Sequence, residues 1–109
     1  MLEFDHIAFS VSGIAEAVEF YKREFEQAEI LYQDESWASI QIGTLKIAFV
    51  LEEQHSPHLA FRTHSREELE RLATEAEVPV MLHRDGSESF YQDDPDGNVI
   101  EVIFYPGSP

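Results

Sequence analysis

The hydrophobic and polar positions of the chain change their period in the same way in each half of the sequence. Short apolar or alternating runs, which indicate strands, are interrupted once per half by apolar residues that recur every three or four positions, which indicates a helix. These residues are Ile14, Val18, Tyr21 and Phe25 in the first half, and Leu69, Leu72, Ala73 and Ala76 in the second. Ser65, with Glu68 three residues later, forms a capping-box pattern that predicts the start of the second helix.

Each predicted helix is preceded by one strand pattern and followed by three. The runs are AEILYQD, WASIQI and LKIAFVL after the first helix, and VPVMLHR, ESFYQD and NVIEVIF after the second. In the DPDG segment, Pro95 suits the second position of a type I turn and Gly97 can take a positive φ. The sequence therefore predicts an α+β fold in which one domain, residues 1–109, contains two βαβββ modules, at about residues 1–52 and 57–105.

The strand patterns also predict which side chains face the helices, because successive side chains of a strand point to opposite faces. In the first strand Ile7, Phe9 and Val11 share one bulky face, and in the fifth Leu59 and Phe61 do. We expect these residues to pack beneath the helices.

Charge and composition exclude several classes of function. The chain has 22 acidic and 7 basic residues and a net charge of −15, which disfavours binding to nucleic acid or to anionic membranes and favours cations and basic ligands. The absence of cysteine excludes disulfides and zinc–thiolate sites. Acidic residues interrupt the start of the chain, and no stretch approaches the roughly 20 apolar residues of a membrane span. We expect a cytoplasmic protein.

Three polar side chains lie within strand patterns that otherwise predict burial: His6, His58 and Glu101. His6 and His58 hold equivalent places in HIAF and HLAF, and Glu101 shares its face with Val99 and Ile103. An ionised carboxylate without a partner costs several kcal/mol to bury. Two histidines and a carboxylate are a common ligand set for a divalent metal, so these residues form a candidate metal site. Hydrogen-bonded core histidines are the alternative interpretation.

Four segments carry a resemblance to a known family: DHIAFSV, AVEFYKREF, PHLAF and SFYQDDPDGNVIEVI. Together they resemble the glyoxalase/bleomycin-resistance/extradiol-dioxygenase superfamily, also called the vicinal oxygen chelate superfamily, over essentially the whole chain. Within it, the segments are most similar to the fosfomycin-resistance thiol transferases. The resemblance implies that the two modules form a curved, incompletely closed eight-stranded barrel around a metal site.

The resemblance also implies a cofactor and an assembly. It assigns His6, His58 and Glu101 as ligands of one divalent ion, which can be Fe, Mn, Ni or Zn. It further implies a homodimer, in which one cavity can combine His6 of one chain with His58 and Glu101 of the other.

Several further residues are candidates for contacts with a small-molecule substrate. Tyr91 is the candidate catalytic residue, since its phenol can donate a hydrogen bond or a proton, with a half-buried structural tyrosine as the alternative. The candidate substrate-binding residues are Arg84, Ser89, Phe49 and Trp37. Phe49 and Trp37 can equally be ordinary core residues. His83 is placed at the cavity rim, while His55 and His64 are expected at the surface.

The sequence also departs from two members of the superfamily. Ile47 stands where glyoxalases carry a fourth, carboxylate ligand, and Ala8 and Met81 stand where fosfomycin enzymes carry a threonine and a lysine. These differences argue against glyoxalase chemistry and against fosfomycin as the substrate, because an anion pocket without its cations binds a phosphonate poorly.

The expected function is therefore that of a metal-dependent enzyme acting on a small oxygen-bearing molecule chelated at a divalent ion. Its reaction would be that of a lyase or isomerase, a thiol transferase or a dioxygenase. The alternative is a non-catalytic antibiotic-binding protein of the bleomycin-resistance type, and the net charge of −15 suits its cationic ligand.

Overall fold

The structure is a computed structural model that describes residues 1–107. The first half contains β1 (Glu3–Val11), α1 (Ile14–Glu24), β2 (Glu29–Gln33), β3 (Trp37–Ile42) and β4 (Leu45–Leu51). The second half contains β5 (His58–Thr63), α2 (Arg66–Ala76), β6 (Met81–Leu82), β7 (Glu88–Asp93) and β8 (Val99–Phe104). The predicted βαβββ order in each half is confirmed.

The strands form a mixed eight-stranded sheet in the order β2-β3-β4-β1-β5-β8-β7-β6. Strands β1 and β4 pair in parallel, whereas β2–β3, β3–β4, β6–β7 and β7–β8 are antiparallel. The predicted α+β class is therefore confirmed.

The chain divides into two compact units. The first unit comprises His6–His58, and the second comprises Met1–Asp5 together with the chain from Leu59 onward. Strand β1 contributes its beginning to the second unit and the rest of its length to the first.

The core of the first unit lies between α1 and the strands β3 and β4. Ile14 and Val18 of α1 are buried against Ile40, Ile47 and Phe49. Ile7 and Val11 pack against this cluster, as predicted. Phe9 does not belong to it and is 37% exposed, so its predicted place beneath the helix is wrong. Helix α1 packs over β3 and β4 and does not cover the side chain of Phe9.

The core of the second unit lies beneath α2. Leu69 and Ala73 are buried against Phe90 and Val102. Leu59 is 36% exposed, so its expected place under the helix is also wrong. Within residues 1–107, no helix has the length and apolar character needed to cross a membrane.

The ends of α2 follow from local chemistry. The Ser65 side chain accepts a hydrogen bond from the Glu68 backbone N–H at 3.2 Å, which confirms the predicted N-cap. The Glu68 carboxylate instead accepts from the Thr63 hydroxyl and from the Met1 ammonium group. At the other end Glu77 adopts a left-handed conformation, with φ 58°.

The hairpin between β7 and β8 forms the predicted turn. The Gly97 N–H donates to the Asp94 carbonyl at 3.1 Å, which places Pro95 at the second position of the turn. Gly97 has φ 86°, as expected for a glycine there. By contrast, β6 covers only two residues of the seven-residue run predicted for it. Pro79 lies in that run, and proline lacks the N–H that a strand ladder requires.

Candidate metal centre

His6 and His58 come together in the first unit. Both are buried, with 8% and 9% of their surfaces exposed. Their ring centroids lie 5.5 Å apart, with the ring planes at 75°. Two imidazoles at this separation within one chain can bind a common ion, since each offers a ring nitrogen as a ligand. The resemblance allowed for His6 and His58 from different chains, whereas here two histidines of one chain are in contact.

The tautomer of His58 follows from a backbone contact. Its Nδ1 lies 3.0 Å from the carbonyl oxygen of Ser56. A carbonyl can only accept, so Nδ1 carries the proton, and in the neutral ring Nε2 carries the lone pair. Metal-binding histidines in proteins are commonly oriented in this way, by a hydrogen bond from the other ring nitrogen to a carbonyl.

Glu101 lies in the second unit, in the middle of β8. It is 3% exposed, although it is an acidic residue in a strand of aliphatic side chains. Tyr91 of β7 stands directly opposite it in the antiparallel ladder. The Tyr91 hydroxyl donates a hydrogen bond to the Glu101 carboxylate. The predicted burial of Glu101 is therefore confirmed.

The surroundings of Tyr91 hold its phenol in the neutral form. Burial, followed by the negative charge of Glu101 and the hydrogen bond to it, raises the pKa of Tyr91 well above its ordinary value of 10.0. Ser89 opposes this rise by a hydrogen bond to the phenol oxygen. Tyr91 is therefore a hydrogen-bond donor beside Glu101 at neutral pH.

His83 lies beside Ser89 and Glu101, and the sequence assigned it no role. Its Nε2 lies 2.6 Å from the hydroxyl of the fully buried Ser89 and 3.8 Å from a carboxylate oxygen of Glu101. Its predicted place at the rim of a cavity gave no indication of these contacts. Only the turn after β6 brings its ring beside β7, and no local pattern in the sequence marks that arrangement.

Four other predicted residues are placed as follows. Arg84 is exposed in the turn after His83. Trp37 is partly buried and stacks on Tyr32, with the ring centroids 4.3 Å apart. Phe49 is fully buried in the core beneath α1, where its ring lies 5.0 Å from that of Tyr21. Phe49 is therefore a core residue, which was its alternative interpretation. Ile47, which stands where glyoxalases carry a fourth ligand, is buried in the same cluster.

The donor set His6, His58 and Glu101 fits a divalent cation. Imidazole nitrogens suit zinc, iron and nickel, and the carboxylate adds a negative charge that lowers the cost of burying the ion. The histidine tautomer and the buried carboxylate described above are what such ligands require.

Solved structures of similar fold include one of unassigned function and one enzyme. The hypothetical protein BH1468 from Bacillus halodurans C-125 matches with a TM-score of 0.72 at 17% identity, over 99% of this chain and 97% of that one. The E323L mutant of homoprotocatechuate 2,3-dioxygenase from Brevibacterium fuscum matches with a TM-score of 0.70 at 15% identity, over 98% of this chain and 35% of that one. At these identities the similarity concerns the fold alone.

Two sequence comparisons identify relatives of the chain, beyond a similarity of fold. The metallothiol transferase FosB of Staphylococcus haemolyticus is 32% identical over an alignment of 113 positions, and the alignment covers 90% of this chain and 80% of that protein. The sequence model of the glyoxalase/bleomycin resistance protein/dioxygenase family matches residues 3–102. The protein therefore belongs to the Glyoxalase/Bleomycin resistance protein/Dioxygenase superfamily.

Proposed function

We propose that the protein is a metal-dependent enzyme that acts on a small oxygen-bearing molecule chelated at one divalent ion. The ligands in this proposal are His6, His58 and Glu101. The observation that carries it is the burial of all three side chains, at 8%, 9% and 3% exposure, in a member of this superfamily. Buried histidines and a buried carboxylate are costly unless they are paired or bind a metal.

When bound, such an ion supplies Lewis acidity, which polarises a substrate oxygen. The protein's own contribution is to orient the substrate and to keep water out. When a substrate binds, Tyr91 can turn its single hydroxyl proton from the Glu101 carboxylate to a substrate oxygen. Ser89, which bonds to the same phenol, helps to hold Tyr91 in place.

Thiol transfer is the reaction class that we place first. The support for it is the 32% identity to a metallothiol transferase over 90% of the chain. Ala8 and the half-exposed Met81 provide no side chain that could bind an anion. We therefore propose a substrate that carries vicinal oxygens without a phosphonate group, and expect fosfomycin to be a poor substrate.

Calorimetric titration of metal-free protein with Fe²⁺, Mn²⁺, Ni²⁺ and Zn²⁺ tests the ligand set. We expect at least one of these ions to bind at about one per chain, and His58→Ala to weaken its binding by at least about tenfold. His55→Ala is the matched control, because His55 is exposed and lies three residues away. Wild-type protein that binds none of the four ions would contradict the proposal, as would equal binding by the two variants.

The alternative is a non-catalytic protein that binds a basic antibiotic. The net charge of −15 is the observation that favours it. Tight binding of a bleomycin-type cation by metal-free protein, unchanged in the His58→Ala variant, would support this alternative. Binding that requires the metal, or its loss in that variant, would exclude it.

We also propose that the protein assembles as a homodimer, as the resemblance implied. Large apolar side chains at the surface support this, among them Phe4 at 45% and Leu59 at 36% exposure. Light scattering of the purified protein would give twice the 12.5 kDa chain mass if the proposal holds, and the mass of one chain if it is wrong.

A further inference from the structure

The backbone of His83 is fixed by a tight turn after β6. Its N–H donates to the Ser87 carbonyl at 2.8 Å, and its own carbonyl accepts from the Gly86 N–H at 3.0 Å. The Asp85 carboxylate accepts from the Ser87 backbone N–H at 2.8 Å and from its hydroxyl at 2.6 Å. Because this turn is closed by four hydrogen bonds, the position from which the imidazole projects is well defined.

The imidazole of His83 reaches the polar side chains of β7 and β8. Its Nε2 lies 2.6 Å from Ser89 Oγ, well within hydrogen-bond range, and 3.8 Å from Glu101 Oε2, beyond it. The ring centroid lies 6.4 Å from that of Tyr91. The direct bond of His83 is therefore to Ser89, and its influence on Glu101 passes through other side chains.

The direction of each hydrogen bond follows from the number of available protons. Tyr91 donates its single hydroxyl proton to Glu101. Ser89 also has one proton, and its oxygen lies within hydrogen-bond distance of Nε2 of His83. A chain of donors that runs from His83 through Ser89 and Tyr91 to Glu101 therefore requires a proton on Nε2 of His83.

We propose that His83 is a positioning residue for the metal site: through Ser89 and Tyr91 it orients the carboxylate of Glu101 toward the ion. This inference rests on the proposed function, in which Glu101 is a ligand. A carboxylate held by a directed chain of donors loses less rotational freedom on binding metal than one held by a single hydroxyl. The side chain of His83 is 28% exposed, whereas that of Glu101 is 4% exposed.

Metal titration of three variants tests the inference. His83→Leu removes the donor, His83→Gln retains an N–H at the end of the side chain, and His64→Leu changes a histidine that is 49% exposed and lies near Glu3. We expect His83→Leu to bind Mn²⁺ or Zn²⁺ about 10- to 100-fold more weakly than wild type. We also expect His83→Gln to recover most of this loss and His64→Leu to show none. Equal affinity of His83→Leu and wild type overturns the inference alone, whereas wild-type protein that binds no metal overturns it together with the proposed function.

A second measurement needs neither metal nor a variant. Nitrogen-15 NMR of the imidazoles in metal-free wild-type protein distinguishes the two neutral tautomers of histidine. The donor chain requires the Nε2–H tautomer at His83 when the ring is neutral. A signal showing the Nδ1–H tautomer would overturn the inference even if the His83→Leu variant failed to fold.

Discussion

Tyr91 and Glu101 face each other across the β7–β8 ladder, and the tyrosine hydroxyl donates to the carboxylate. Tyr105 makes a similar pair with Asp5, at 2.7 Å. In each case burial, followed by the neighbouring carboxylate, raises the pKa of the tyrosine above 10.0. Formation of either phenolate is therefore disfavoured, because it would leave a buried negative charge beside an acidic side chain.

These two tyrosines predict a loss of stability at alkaline pH. In the unfolded chain they ionise near pH 10, whereas in the folded chain they keep their protons to higher pH. Their contribution is therefore complete below about pH 10 and is lost as the pH rises toward their folded pKa values. The urea midpoint should fall between about pH 9.5 and 11.5, and less steeply in Tyr91→Phe than in wild type. Parallel curves for the two proteins would contradict the pairing of Tyr91 with Glu101.

The core role of Phe49 predicts a large effect of truncating its side chain. Phe49 is fully buried beneath α1, so Phe49→Ala removes its packing and leaves a cavity. We expect the free energy of unfolding to fall by about 3–5 kcal/mol, measured by urea denaturation. Phe20→Ala, on the exposed side of the same unit at 47% exposure, should cost less than about 1 kcal/mol. If the two variants were equally stable, the placement of Phe49 in this core would be wrong.

The left-handed residue at the end of α2 predicts a stabilising substitution. Glu77 has φ 58°, a conformation that glycine adopts without the steric cost paid by other residues. Glu77→Gly should raise the free energy of unfolding by up to about 1 kcal/mol. Glu75→Gly removes the same charge two residues earlier, inside the helix, and should lower it by about 1 kcal/mol. The thermal midpoints of the two variants should therefore shift in opposite directions, and shifts of the same sign would count against this description of the helix end.

Most of the fold could be predicted because its signals are local. The period of the apolar residues marks both helices, and Ser65 and Gly97 mark a cap and a turn through their own backbone preferences. The strand pattern was less reliable about which side of the sheet is covered. Alternation places Phe9 and Ile7 on one face, but how far a helix extends over that face depends on its packing, and Phe9 is left exposed.

The candidate site could be predicted only in part. His6, His58 and Glu101 stand out because polar residues in apolar strands need an explanation, and each proved to be buried. His83 follows a strand of two residues and lies in a turn, where a histidine is unremarkable by sequence. Its contact with Ser89 depends on the pairing of β6 with β7, which is a tertiary property.

Elemental analysis of gently purified protein is the most direct test of the metal site. We expect about one divalent ion per chain in the wild type, and a loss of at least about 90% of it in Glu101→Gln, which keeps the shape of the side chain but removes its charge. Glu88→Gln is the control, because Glu88 lies on the neighbouring strand and pairs with Arg66 at 2.5 Å. Wild-type protein without metal, or a Glu101→Gln variant that retains the full amount, would contradict the account.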